Sequence, residues 1–166
     1  MRLPALLFVA AAAFAAGPAL RIEGISGRDG VAKPALQLTL AEIAAMPRTS
    51  VSGKTHDGKE HLFEGVAMDV LLSRAGLPQG EDVRGPMLAR YLVVTAHDGY
   101  RAVFSLPEFD PAFTDNRAIL ADKMDGQPLS AHDGPLRLVL RWEKREARWV
   151  RMVEKIELLA APDAVR

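Results

Sequence analysis

Aspartate–glycine pairs punctuate this chain, and they limit what it can fold into more than any other feature. Asp57-Gly58, Asp98-Gly99 and Asp125-Gly126 each interrupt short runs of apolar and β-branched residues. Glycine adopts positive φ freely and aspartate tolerates it, so such a pair between two alternating runs reads as a β-hairpin turn. Of the two other pairs, Asp29-Gly30 lies in "GRDG" between two expected strands, and Asp133-Gly134 is followed by Pro135 and reads as a bend into a strand. Three of the pairs carry the same preceding histidine: His56, His97 and His132 all stand in His-Asp-Gly. With two-residue loops, His56 faces Lys59, Thr55 faces Glu60 and Lys54 faces His61; in the second hairpin His97 faces Tyr100 and Ala96 faces Arg101. His56 and His61 then lie on opposite faces, which is poor geometry for a shared metal. A three-histidine zinc site requires the three turns to converge, and nothing local demands it. The histidines are read as residues beside turns.

The remaining segments agree with a sheet-rich chain. Strands are expected at 19–26, 35–40, 90–97, 100–106, 118–124, 136–142 and 149–159, with 49–55 and 59–63 flanking Asp57-Gly58. In the last strand Val150, Met152, Ile156 and Leu158 share one face, opposite Arg151, Lys155 and Glu157. Thr39 and Glu42 form a capping box that opens a short helix ended by Pro47. Met68, Leu71, Leu72 and Ala75 mark one face of a second helix, with Gly76 at its C′ position and Pro78 beyond. Residues 107–113 suggest a single helical turn. Many strands, two helices and no βαβ rhythm predict an α+β fold with mixed or antiparallel sheets and a few short helices.

Residues 1–19 have a basic start at Arg2, an apolar run from Leu3 to Ala16 and small residues after it, the layout of a secretory signal peptide. Cleavage after Ala16 or Ala19 leaves one domain over 20–160 and a tail over 161–166. The expected location is periplasmic or secreted, with no membrane span after cleavage. The chain contains no cysteine. It therefore has neither disulfides nor a thiolate to offer as nucleophile or metal ligand. Basic and acidic residues balance at 21 each, so no overall field favours nucleic acid. One local excess stands out: Arg137, Arg141, Lys144, Arg145, Arg148 and Arg151 against Glu143 and Glu146. No H-E-x-x-H, G-x-S-x-G, P-loop or G-x-G-x-x-G motif occurs. No residue is assigned a catalytic or metal-binding role.

Five linked pieces carry a resemblance: "FEGVAMDVLLSRAGL" (63–77), "VVTAHDGYRAVFSLPEFDP" (93–111), "AILADKMDGQPL" (118–129), "DGPLRLVL" (133–140) and "REARWVRMVEKIEL" (145–158). In this order they are similar to the oxidoreductase molybdopterin-binding domain, the fold of sulfite oxidase and its bacterial relatives, in a small stand-alone form. The resemblance implies a molybdopterin cleft and, in the enzymes, a molybdenum-ligating cysteine. The corresponding position here falls near Thr55, His56 or Asp57, where no thiol stands, and the family's phosphate loop is replaced by "RWEKREARW". Molybdopterin is thus implied by resemblance alone, without cysteine-ligated molybdenum.

Three functions follow as expectations. The first is a non-redox domain that binds a pterin or other small anionic ligand in the cofactor cleft. Arg137 and Arg148 would recognise the anion, Trp149 would provide a stacking wall, and Tyr100 and His56 would line the cleft. The second is a molybdopterin-dependent oxidoreductase holding its metal through His56 or Asp57. The third is an accessory subunit that docks an unknown protein partner through the basic segment around Arg145 and Arg148, or through a sheet edge.

Overall fold

A computed structural model describes residues 17–24 and 33–162. Residues 1–16, most of the stretch expected to be a signal peptide, and residues 163–166 of the expected tail lie outside the described residues. Ten strands are present: β1 (Leu20–Glu23), β2 (Leu36–Leu38), β3 (Arg48–Lys54), β4 (Glu60–Ala67), β5 (Arg90–Ala96), β6 (Arg101–Ser105), β7 (Ala118–Met124), β8 (Gln127–Pro128), β9 (Arg137–Leu140) and β10 (Val153–Ala160). Helices α1 (Leu40–Ala44) and α2 (Met68–Arg74) complete the regular structure together with short 3-10 turns. The first sheet has the order β2-β1-β10-β5-β6, in which only β1 and β10 run parallel. The second has the order β3-β4-β7-β8, with β9 also paired to β7, and is antiparallel. The fold is α+β with mixed and antiparallel sheets, as the sequence predicts.

The predicted caps form. Thr39 Oγ1 accepts the backbone N–H of Glu42, whose carboxylate accepts the Thr39 N–H in return. At the end of α2, Gly76 takes the positive φ of a C′ glycine (φ +81), and the Leu77 N–H reaches back to the Leu72 carbonyl. Leu71, Leu72, Phe63, Ile119, Leu120, Leu138, Ile156 and Leu92 join both sheets and α2 in one continuous core.

Two local expectations are corrected. Both His-Asp-Gly hairpins have three-residue loops, not two. Thr55 pairs with Lys59 and Ala96 with Tyr100 through backbone bonds, which shifts the register so that Gly53, not Lys54, faces His61. The reason is that only glycine takes positive φ, at Gly58 (+81) and Gly99 (+85), while Asp57 and Asp98 accept the N–H two residues on. That is a type I turn closed by a glycine bulge. Asp125-Gly126, by contrast, is a true two-residue turn with both residues at positive φ. The second correction concerns the end of the chain. β9 and β10 belong to different sheets, and residues 141–152 cross between them. Met152 has φ +49 and a bulge follows Val153, so Val153 rather than Met152 takes the buried position beside Ile156 and Leu158.

Candidate functional site

The ends of the two sheets meet around a cleft of about 440 Å³. Its wall comes from His56 on the β3–β4 loop, Ala96, Asp98 and Tyr100 on the β5–β6 turn, Arg137 at the start of β9, and Glu146, Ala147, Trp149 and Arg151 on the crossing segment. A volume of this size accommodates a small organic molecule.

Arg137 organises the floor. Its side chain is only 5% exposed, yet it begins an otherwise apolar strand. Nη2 donates to Glu146 Oε2 at 2.7 Å and Nη1 to Asp133 Oδ1 at 3.4 Å. The guanidinium carbon lies 5.5 Å from the ring centres of both Phe63 and Trp149. A buried cation is tolerated where charge partners and aromatic faces replace water. Arg137 Nε and Glu146 Oε1 remain buried without a hydrogen-bond partner.

Trp149 is a packed residue with one side toward the cleft. It is 4% exposed, donates Nε1–H to the Leu140 carbonyl at 3.0 Å, and meets Phe63 edge to face with centroids 5.7 Å apart. The ring lies so close to Gly53 that a Cβ there would approach Cη2 to 2.4 Å. Tyr100 is half exposed and donates its hydroxyl to the Ala147 carbonyl, tying the β5–β6 turn to the crossing segment. Arg151 Nη1 donates to the His132 ring at 3.1 Å and lies 4.0 Å from Asp133.

Of the residues singled out from sequence, His56, Tyr100, Arg137 and Trp149 come together on this cleft. Arg148 does not. Its guanidinium lies 4.3 Å over the Phe104 ring and pairs with Glu108 at 2.8 Å and Glu143 at 2.9 Å, outside the cleft lining. The three His-Asp-Gly turns do converge, but through different residues: His56 from the first, Asp98 from the second, and Asp133, by way of Arg137 and Arg151, from the third. The histidines themselves stay apart. His56 is 89% exposed with Nδ1 4.0 Å from Glu146, His97 pairs with Glu154, and His132 faces Arg151. Among the described residues no group of three His, Asp or Glu side chains is placed to hold a metal ion.

Sequence reasoning missed Glu146 and Asp133, the carboxylates that neutralise Arg137. The available signal for Glu146 was its place, with Glu143, inside a strongly basic run, and for Asp133 its position four residues before Arg137. His61, expected opposite Lys54, instead bridges two turns. His61 Nδ1 meets Asp125 at 2.6 Å and Nε2 lies 3.7 Å from Asp57. The Asp125 hydrogen bond raises the His61 pKa above its ordinary value despite some burial. Hydrogen bonds from Thr55, and then from the Lys59 backbone, hold Asp57 down to about 2.

A family model described as the oxidoreductase molybdopterin binding domain matches residues 57–165, and the chain belongs to that family. No curated protein matches it. Among solved structures it is similar to the sulfane dehydrogenase SoxCD from Paracoccus pantotrophus, with a TM-score of 0.61 and 19% identity. The match covers 84% of this chain and 37% of that one. The likeness therefore concerns the fold, over a little more than a third of the larger chain's length.

The donor set does not fit a cysteine-ligated molybdenum centre, because these 166 residues contain no cysteine. Imidazole and carboxylate are harder ligands that give a metal a different redox character.

Proposed function

We propose that this chain is a non-redox ligand-binding version of the molybdopterin-binding domain, and that its cleft takes a flat, nitrogen-rich heterocycle of the pterin class bearing an anionic group. The observation that carries this reading is the mixed polarity of the cleft. Arg137 is already neutralised by Glu146 and Asp133, so a bare anion gains little from it. Asp98 uses Oδ1 on the Tyr100 N–H and keeps its other oxygen free for an amino–imino ring edge. Arg151 and His56 stand at the mouth, where an anionic substituent would lie. Tyr100 and Trp149 present aromatic edges to the ring.

The hydrophobic leader over 1–19 supports export to the periplasm or medium, a location that N-terminal sequencing of protein recovered outside the cytoplasm would test. Among the described residues no helix is long and apolar enough to cross a membrane.

A ligand-dependent melt tests the binding reading. Pterins, nucleotides and simple oxyanions are each added to the purified chain. A pterin should raise the melting temperature with concentration, by about 2.7 kcal/mol of stabilisation at a hundredfold excess over Kd. A rise with phosphate or sulfate alone would replace the pterin by a plain anion. No rise with any of the three would remove the ligand-binding reading.

A further inference from the structure

Beside the cleft, and sharing His56, Glu146 and Trp149 with it, runs an open groove of about 730 Å³. Its floor is Ser52–Thr55, the end of β3, and β3 is the edge strand of the second sheet. Among the described residues β3 makes no backbone hydrogen bond on its outer side, while Ser50, Ser52 and Lys54 are exposed along it. An open strand edge is a template for another extended chain.

The charges around this edge are unevenly used. Glu143 is taken by Arg148 and Glu146 by Arg137, so both acids of the crossing segment are spent inside the protein. Lys54, Arg141, Lys144 and Arg145 line the groove, are exposed, and have no ion pair among the described residues. Only Glu60 opposes them without a partner. The groove is thus a free β-edge flanked by four cations against a single unpaired carboxylate, Glu60, which stands opposite Lys54 in the β3–β4 ladder.

We propose that this groove docks an extended acidic polypeptide segment, which adds to the sheet as a strand beside β3 and places its carboxylates against Lys54, Arg141, Lys144 and Arg145. Main-chain pairing explains why the floor is a strand edge, and the exposed cations select charge. A small polyanion has no use for that edge, and a bilayer surface cannot reach the floor of a concave groove. The docked segment would cross the mouth of the cleft at His56.

The test uses the full chain and a fluorescein-labelled peptide alternating glutamate and threonine, with the glutamine version as control. Anisotropy should report saturable binding of the glutamate peptide, weakened as salt rises from about 0.05 to about 0.3 M. Arg141→Glu with Arg145→Glu should weaken it at least about tenfold, while Arg74→Glu with Arg84→Glu, outside the groove, should leave it unchanged. Hydrogen exchange should slow at residues 48–55 when the peptide is added. Equal binding of the glutamine peptide, equal loss with the control pair, or binding without protection of β3 would each overturn the proposal. So would capture by phosphatidylglycerol vesicles with no affinity for the peptide.

Discussion

Replacing Arg137 by methionine tests the account of the cleft floor. The substitution keeps an unbranched apolar side chain between Phe63 and Trp149, so little cavity forms. It removes the 2.7 Å bond to Glu146 and the 3.4 Å contact to Asp133, leaving two carboxylates facing an uncharged wall. Breaking a buried pair by removing one partner costs about 3–5 kcal/mol. Here Glu146 and Asp133 each retain 19% side-chain exposure and can recruit water. The low end, about 3 kcal/mol, is therefore expected. In a domain of this size that corresponds to a fall in Tm of about 6–12 °C. The assay is chemical and thermal denaturation of four proteins: wild type, Arg137→Met, Glu146→Gln and the double variant. Neutralising Glu146 in the Arg137→Met background should restore most of the loss, with a coupling of about 2 kcal/mol. A single variant that melts within about 2 °C of wild type, or a double variant no better than Arg137→Met, would refute the view that this pair is a mutually dependent unit.

Other consequences are equally direct. Gly53→Ala should destabilise by about 1–3 kcal/mol in urea unfolding, because the new Cβ meets a Trp149 ring held by Phe63 and Leu140. The His61 clamp gives a pH window. Its raised pKa means that its contribution is full below about 6.5 and fades as pH rises through the folded value, while lowered Asp57 and Asp125 lose theirs as pH falls below about 4. The stability gap between wild type and His61→Gln should accordingly be widest between about pH 4 and 6.5, and a gap that widens above pH 8 would reverse the sign of the argument. Asp98→Ala should weaken pterin binding about tenfold by calorimetry, while loss of its bond to the Tyr100 N–H lowers the Tm of the free protein by about 2–4 °C.

The fold was largely legible because its signals are local. The capping box at Thr39, the stripe from Met68 to Ala75 and the strand over 118–124 depend on neighbours within a few residues, and all three form. What local pattern could not supply was the loop length at Asp57-Gly58 and Asp98-Gly99. Two- and three-residue turns share the same dipeptide, and the choice rests on whether the aspartate adopts positive φ. The face of β10 was misread for a similar reason: the bulge at Val153 follows from residues 141–152 crossing between sheets. The cleft residues Arg137, Trp149, Tyr100 and His56 were visible as members of family motifs. Their partners Asp133 and Glu146 stand in the same motifs, four residues before and nine after Arg137, but the motif alone does not show that their carboxylates turn back onto its guanidinium.

The central claim is that this cleft binds guests without anchoring a redox metal through protein sulfur. The most direct measurement pairs metal analysis and electron paramagnetic resonance with pterin calorimetry on chain purified from a molybdate-supplied host. The account predicts saturable pterin binding in one class of site and no paramagnetic molybdenum signal linked to turnover. Stoichiometric molybdenum, with a Mo(V) signal that appears and decays as a substrate is consumed, would contradict it.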